Sequence, residues 1–279
     1  MRGKNDFNVE LSPDFKFEFE GERGRVFMII TIRNIDYNID GIIFDKDGTL
    51  LDTQFFWPEL LEARMKGLAL KGIEELVLKS CRRTLGQLPD GGIDPDGPLA
   101  LGSRAEEVIV TATVLYQNGY HWDKARLMVE EIYNRVEKEL DIDRISRAFP
   151  GVKRLLEDLK GAGLKLAVAT TDTTERAEKM LDSAGLLEQI DIVVGRDMVE
   201  QGKPKPEMIE LISRKLNIPY EKLVMVGDTL SDMEMAEAAG CIGIGVLTGS
   251  GRLDVLKGIA AEVVSDVTNL RGLLRQSAL

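Results

Sequence analysis

The sequence predicts an α/β protein: a Rossmann-like three-layer core on a parallel sheet, with a helical cap domain and an N-terminal β-hairpin extension. Three observations lead there. Short, β-branched apolar runs alternate with helix-patterned segments over residues 149–279, as in a parallel sheet covered on both faces. One further run, Ile42-Ile43-Phe44, stands far upstream, cut off from the others by a stretch with helical periodicity alone. The apolar runs also stop abruptly at Asp, Thr or Gly-Asp, at the edge where open parallel sheets hold their ligands.

Taken in order, residues 1–38 read as a β extension. Phe15, Phe17 and Phe19 alternate with Lys16, Glu18 and Glu20, the period of a half-buried strand. Gly21-Glu22-Arg23-Gly24 reads as a turn, and residues 26–32 as the second strand of a hairpin. Ile42-Ile43-Phe44 is a buried strand that ends at Asp45. Residues 55–148 carry helical spacing over 60–70, 73–85, 104–115 and 123–140, broken by a Gly/Pro/Asp-rich loop at 88–102. They form a cap inserted between two pieces of core, 39–54 and 149–279. In the second piece Val152, Leu155, Leu156 and Leu159 mark a helix closed by Gly163. Then follow a strand at 164–169, a helix at 175–184 and a strand at 190–194. A helix at 207–216 enters through Pro206. A strand at 223–226, a helix at 232–239 and a strand at 242–246 complete the alternation.

The formal net charge is −11, which opposes binding to nucleic-acid phosphates. Cys81 and Cys241 lie far apart with no C-x-x-C spacing, so neither a disulfide framework nor a zinc site is expected. No apolar run reaches the roughly 18 residues of a membrane span, and residues 1–10 lack the apolar stretch of a signal peptide. The expectation is a reduced, cytoplasmic protein without nucleic-acid or membrane partners.

Chemistry gathers at the strand ends. The first strand ends in Asp45-Lys46-Asp47-Gly48-Thr49 and the 164–169 strand in Thr170-Thr171-Asp172. A loop carries Gly202-Lys203-Pro204, and the 223–226 strand ends in Gly227-Asp228-Thr229, with Asp232 one turn on. Asp45, Asp47 and Asp228 crowded at one edge would repel one another, so a cation is expected among them. An all-oxygen set suits magnesium, which pairs a few carboxylates with phosphate and water. Lys203 and Thr170 can neutralise and hydrogen-bond a phosphate, and Gly48 allows close backbone approach. A carboxylate can attack phosphorus, and a second one two residues on can protonate the leaving oxygen and then activate water.

These segments, in this order, resemble the haloacid dehalogenase superfamily, in the phosphoglycolate phosphatase-like subgroup whose helical cap follows the first core strand. Asp45-Lys46-Asp47-Gly48-Thr49-Leu50-Leu51-Asp52 matches its first motif and Thr170 its second. Lys203 in Gly202-Lys203-Pro204-Lys205-Pro206 matches the third, and Gly227-Asp228 with Asp232 the fourth. The resemblance covers residues 39–54 and 149–279 well, the cap weakly and the first 38 residues not at all. It implies a magnesium-dependent phosphatase acting on a small phosphate monoester through an aspartyl-phosphate. Asp45 would be the nucleophile and a metal ligand. Asp47 would be the general acid/base and would offer its backbone carbonyl to the metal. Thr170 or Thr171 and Lys203 would hold the phosphoryl group, Asp228 would bind the metal, and Asp232 would support the metal or Lys203. Two positions depart from the pattern. Lys46 stands where an apolar residue is common, and Thr171-Asp172 follows Thr170 where Asn is common.

Other readings compete. A phosphomutase of the same subgroup would need a cap that excludes water, and no cap motif demands one. A dehalogenase resembles this pattern without the second carboxylate, and Asp47 is present. A non-catalytic phosphate-binding protein would show a degenerate motif, and none is degenerate. The lone His121 reads as a packing or surface residue, and Arg82, Arg83 and Arg104 as helix-surface arginines. The loop at 90–97 lacks the spacing of a calcium loop. The N-terminal hairpin is expected to extend the sheet or to pair two copies in a homodimer.

Overall fold

The computed structural model describes residues 26–278. The chain enters on β1 (Val26–Ile32) and returns on β2 (Ile35–Ile39), antiparallel, with Met28 opposite Ile39. The connection is the two-residue turn Arg33-Asn34, whose φ angles of 49° and 66° place both residues in the left-handed region. That is the turn geometry whose twist matches paired strands. The sequence reading pairs residues 26–32 with 15–20 instead. Residues 15–20 lie outside the described residues, and the observed partner was missed because Arg-Asn lacks the glycine that usually announces such a turn.

After β2 comes β3 (Gly41–Phe44), then the inserted helices α1 (Thr53–Leu70), α2 (Glu75–Thr84), α3 (Pro98–Leu101), α4 (Arg104–Gln117), α5 (Trp122–Glu139) and α6 (Ile142–Ile145). The alternation then resumes with α7 (Val152–Gly161), β4 (Lys165–Ala169), α8 (Thr174–Ser183), β5 (Ile192–Val194) and α9 (Glu207–Leu216). It closes with β6 (Leu223–Gly227), α10 (Leu230–Ala239), β7 (Ile242–Val246), α11 (Leu253–Leu256), β8 (Glu262–Val264) and β9 (Leu274–Ala278). Six strands form a parallel sheet in the order β5-β4-β3-β6-β7-β8, and a second, antiparallel sheet has the order β2-β1-β9.

Period-2 alternation assigns the two faces. Ile42 and Phe44 join one apolar cluster with Leu155, Leu156, Met180 and Leu181, while Ile43 between them joins Met208, Ile209 and Met235 on the other face. Helices α7 and α8 thus cover one side and α9 and α10 the other. The antiparallel sheet packs on the α7 side through Ile30, Ile32, Ile39 and Leu274. The inserted helices bury a cluster of their own, with Leu61, Met65, Cys81, Leu115, Ile132 and Tyr133 among its members.

Helix α1 starts at Thr53, several residues earlier than the 60–70 expected. The Asp52 side chain caps it by accepting from the Gln54 N–H at 3.1 Å. Pro58 reads as a breaker in the sequence, yet it sits in the second turn and removes only one backbone bond there.

Candidate active site

Asp45 follows β3 directly, and its N–H donates to the Val226 carbonyl of β6 at 2.8 Å, so the central strand pair fixes its backbone. Its carboxylate is almost buried. Lys203 Nζ reaches Asp45 Oδ1 at 2.5 Å and Asp232 Oδ1 at 2.6 Å, with the lysine side chain only 3% exposed. Asp232 is held from its other oxygen. Thr229 N–H and Oγ1 donate to Asp232 Oδ2 at 3.0 and 2.6 Å, in a reciprocal cap at the start of α10. Asp232 therefore caps a helix with one oxygen and orients Lys203 with the other.

Asp228 closes β6. Its Oδ2 accepts from the N–H and Oγ of Ser250 at 2.8 and 3.1 Å, and Thr49 Oγ1 approaches Oδ1 at 3.5 Å. Asp45, Asp228 and Asp232 bring carboxylate oxygens within 4.8 Å of one another, all three buried. Among the described residues, one ammonium, that of Lys203, bridges two of the three carboxylates. Two formal negative charges are left without a cation, which is the charge of one divalent ion.

The titration behaviour follows from that imbalance. Burial raises Asp45 well above the usual carboxylate range; Lys203 opposes this, while Asp232, Asp228 and Asp47 push the same way as burial. Burial, then repulsion from Asp232, lifts Asp228 to about 7, with the Ser250 hydrogen bonds and Lys203 pulling it down. Burial alone would lower Lys203, but the charges of Asp232 and Asp45 outweigh it and hold the lysine protonated. Such a set relaxes when a hard cation replaces the protons, and its oxygen-only donors fit magnesium.

Asp47 lies apart from this trio. Its carboxylate is 32% exposed and is gripped by Lys46 Nζ, at 2.8 Å from Oδ1 and 2.7 Å from Oδ2. Gly48 has φ of +80°, and a Cβ there would stand 2.7 Å from Asp228 Oδ2. Its own N–H donates to the Leu51 carbonyl at 2.9 Å, so its service to the site is the space it leaves. Thr170, at the end of β4, is buried, and its Oγ1 accepts from the Asp172 N–H at 3.2 Å. Thr171 is exposed.

The sequence reading missed two residues that serve these groups. Ser250 holds Asp228, and Thr248 Oγ1 donates to the Gly48 carbonyl at 2.5 Å. Their signal was the Thr248-Gly249-Ser250-Gly251 loop at the carboxyl end of a parallel strand, where ligands gather. Cys81 and Cys241 are free, and burial raises them to about 11 and about 12, so neither is poised as a nucleophile.

The model of the haloacid dehalogenase-like hydrolase family matches residues 39–240. Over 226 residues the chain is 33% identical to the probable phosphatase IndB of Dickeya dadantii, spanning 81% of this chain and 88% of that one. It is 26% identical over 219 residues to a phosphoglycolate phosphatase of Neisseria meningitidis serogroup A, spanning 78% and 85% of the two chains. Among solved structures, a Thermotoga maritima protein proposed to be a β-phosphoglucomutase superposes with a TM-score of 0.59 at 27% identity, over 84% of this chain and 98% of that one.

Proposed function

This chain belongs to the haloacid dehalogenase-like hydrolase family, and from that premise we propose that it is a magnesium-dependent phosphatase of small phosphate monoesters. The observation that carries the proposal is the buried trio of Asp45, Asp228 and Asp232 around one lysine. In this reading Asp45, Asp228 and Asp232, with the backbone of Asp47, hold the magnesium, which when bound neutralises the phosphoryl oxygens and the excess acidic charge.

The chain's own groups do the rest. Asp45 attacks phosphorus and forms an acyl phosphate as the ester P–O bond breaks. Lys203 fixes the rotation of the Asp45 carboxylate and shares its positive charge with the phosphoryl group. Thr170 and Thr171 supply hydroxyl donors at the end of β4, and Gly48 leaves room for the phosphoryl group. Asp47 gives a proton to the departing alkoxide, then takes one from the water that splits the acyl phosphate. Free phosphate leaves and Asp45 is restored.

We read residues 39–54 and 149–279 as the catalytic core and 55–148 as the cap, supported by the separate apolar cluster of the inserted helices. Phosphoglycolate is the first substrate to try, given the N. meningitidis relative. The cytoplasm is the expected compartment, in keeping with two free cysteines. Pairing of two copies is expected along an edge of the β2-β1-β9 sheet, and mass in solution tests it.

The deciding experiment measures phosphate release over a panel of esters, with magnesium and with excess chelator, for wild type and Asp45→Asn. Release should need the metal and vanish in the variant for every ester, and labelled phosphate should attach to wild type alone. Full turnover in chelator sinks the metal assignment, and wild-type labelling of Asp45→Asn ends the nucleophile assignment. Isomerised product without free phosphate would make the protein a mutase.

A further inference from the structure

The two places at which this chain departs from its family's pattern are Lys46 and the Thr171-Asp172 pair, and Lys46 meets Asp172 in the fold. Lys46 follows Ile42 and Phe44 along the same face, and its side chain passes under α8, with Nζ 3.4 Å from Met180 Sδ. The lysine side chain is 1% exposed. An ammonium buried to that degree is costly unless anions meet it. Two do. Asp47 grips it with both oxygens, and Asp172 Oδ2 stands at 3.6 Å. Asp172 is itself anchored, since its Oδ2 takes Arg176 Nε at 3.1 Å and its Oδ1 accepts the Thr173 N–H at 2.9 Å. Its own N–H donates to Thr170 Oγ1. A continuous path of polar contacts thus runs from Asp47 through Lys46 and Asp172 to Thr170.

We propose that Lys46 is a positioning residue: it clamps the Asp47 carboxylate in its working place and ties it to the loop that carries Thr170. The inference rests on the reading of Asp47 as general acid/base. Without a clamp, a carboxylate one-third exposed on a loop would sample several rotamers. Proton transfer needs one of them, within hydrogen-bond reach of the ester oxygen. The Lys46 ammonium meets only the side chain of Asp47, not the backbone carbonyl assigned to the metal, and its second anion Asp172 lies outside the Asp45–Asp228–Asp232 trio, so its effect on proton transfer passes through the Asp47 carboxylate. The buried stem and the second anion, Asp172, keep the ammonium from swinging toward the solvent or the substrate.

The test is leaving-group dependence in a double-mutant cycle. Lys46→Met keeps the stem and removes the charge. On an alkyl phosphate its kcat should fall by about ten- to a hundredfold, the worth of one charge-assisted hydrogen bond, with KM nearly unchanged. On p-nitrophenyl phosphate, whose leaving group needs little protonation, the loss should be several-fold smaller. In an Asp47→Asn background Lys46→Met should cost nothing further. Wild-type kcat on alkyl esters overturns the proposal, as does an equal loss on all esters or a loss that adds fully to that of Asp47→Asn. If instead Asp47→Asn itself shows no leaving-group dependence, the acid/base reading of Asp47 has failed rather than the clamp. Should Lys46→Met not fold, Lys46→Met with Asp172→Leu removes the ammonium together with its second anion and carries the same cycle.

Discussion

At the scale of single residues, the site is built as much from absent side chains as from charged ones. Gly48 is in the left-handed region, and a methyl group there would meet Asp228 Oδ2 at 2.7 Å and the Gly249 Cα at 2.9 Å. Gly48→Ala should therefore displace Asp228, lowering kcat about a hundredfold and stability by about 1–3 kcal/mol. Steady-state rates and urea unfolding check the two parts separately. The acidic members of the site were legible in the sequence because Asp45 and Asp228 follow the ends of apolar runs, where a parallel sheet must put them, and Asp232 stands one helical turn after Asp228. The finer contacts were not. In the sequence a helix cap and a metal or lysine partner compete as readings of Asp232, and the fold shows both at once, one oxygen capping α10 while the other orients Lys203. Ser250 carries no charge, so its place after a parallel strand marks the loop as near the site without marking Ser250 as the partner of Asp228.

At the scale of elements, the inserted helices hold an unusual cluster. Arg64 of α1 is 2% exposed, donates to Glu107 of α4 at 2.7 Å, and lies over the Tyr133 ring of α5 at 4.2 Å. Burial pushes Glu107 up from the ordinary carboxylate range, and Arg64 pulls it back. Three helices are thus registered by one guanidinium. Arg64→Met should cost about 3–5 kcal/mol because it strands a buried carboxyl, and adding Glu107→Leu should recover most of that. Denaturant midpoints of the single and double variants decide it; equal costs would mean that the ion pair does not hold the helices. The sequence showed these helices through their apolar spacing. It did not show the ion pair, because Arg64 falls on the apolar face of α1 and its partner is 43 positions away. The start of α1 at Thr53 was hidden by Pro58, and β2 by the glycine-free turn Arg33-Asn34.

At the scale of the whole molecule, the excess of acid shapes how the protein responds to pH. Without metal, burial and Asp232 hold Asp228 at about 7, and burial together with its acidic neighbours holds Asp45 above its ordinary range. In the unfolded chain both titrate at about 4. Between those values the folded protein binds more protons than the unfolded one, so the contribution of this pair to stability falls as pH rises. In chelator the loss should amount to about 1–4 kcal/mol across pH 4 to 7. Magnesium should offset it, so the thermal shift on adding the metal should grow over the same window. A metal shift equal at pH 5 and pH 8 would count against these carboxylates as the site. The chain's net charge of −11 gave no hint of this, because the charges that matter are a buried minority.

The pairing of β1 with β9 has a consequence for synthesis on the ribosome. Ile30 lies opposite Leu274 and Val26 opposite Ala278, so the strand made first among the described elements waits for the one made last. About 240 residues separate them, which at roughly 5–20 residues per second means about 10–50 s of translation. Through that interval β1 and β2 form at most a two-stranded ribbon, with the β1 edge open as well as that of β2. Met28, Ile30 and Ile32 then lack part of their eventual cover. The nascent chain should be most prone to capture by holdase chaperones, or by another nascent copy, in this window. Slowing elongation downstream of β2 should lengthen it and lower the soluble yield without any change to the finished protein.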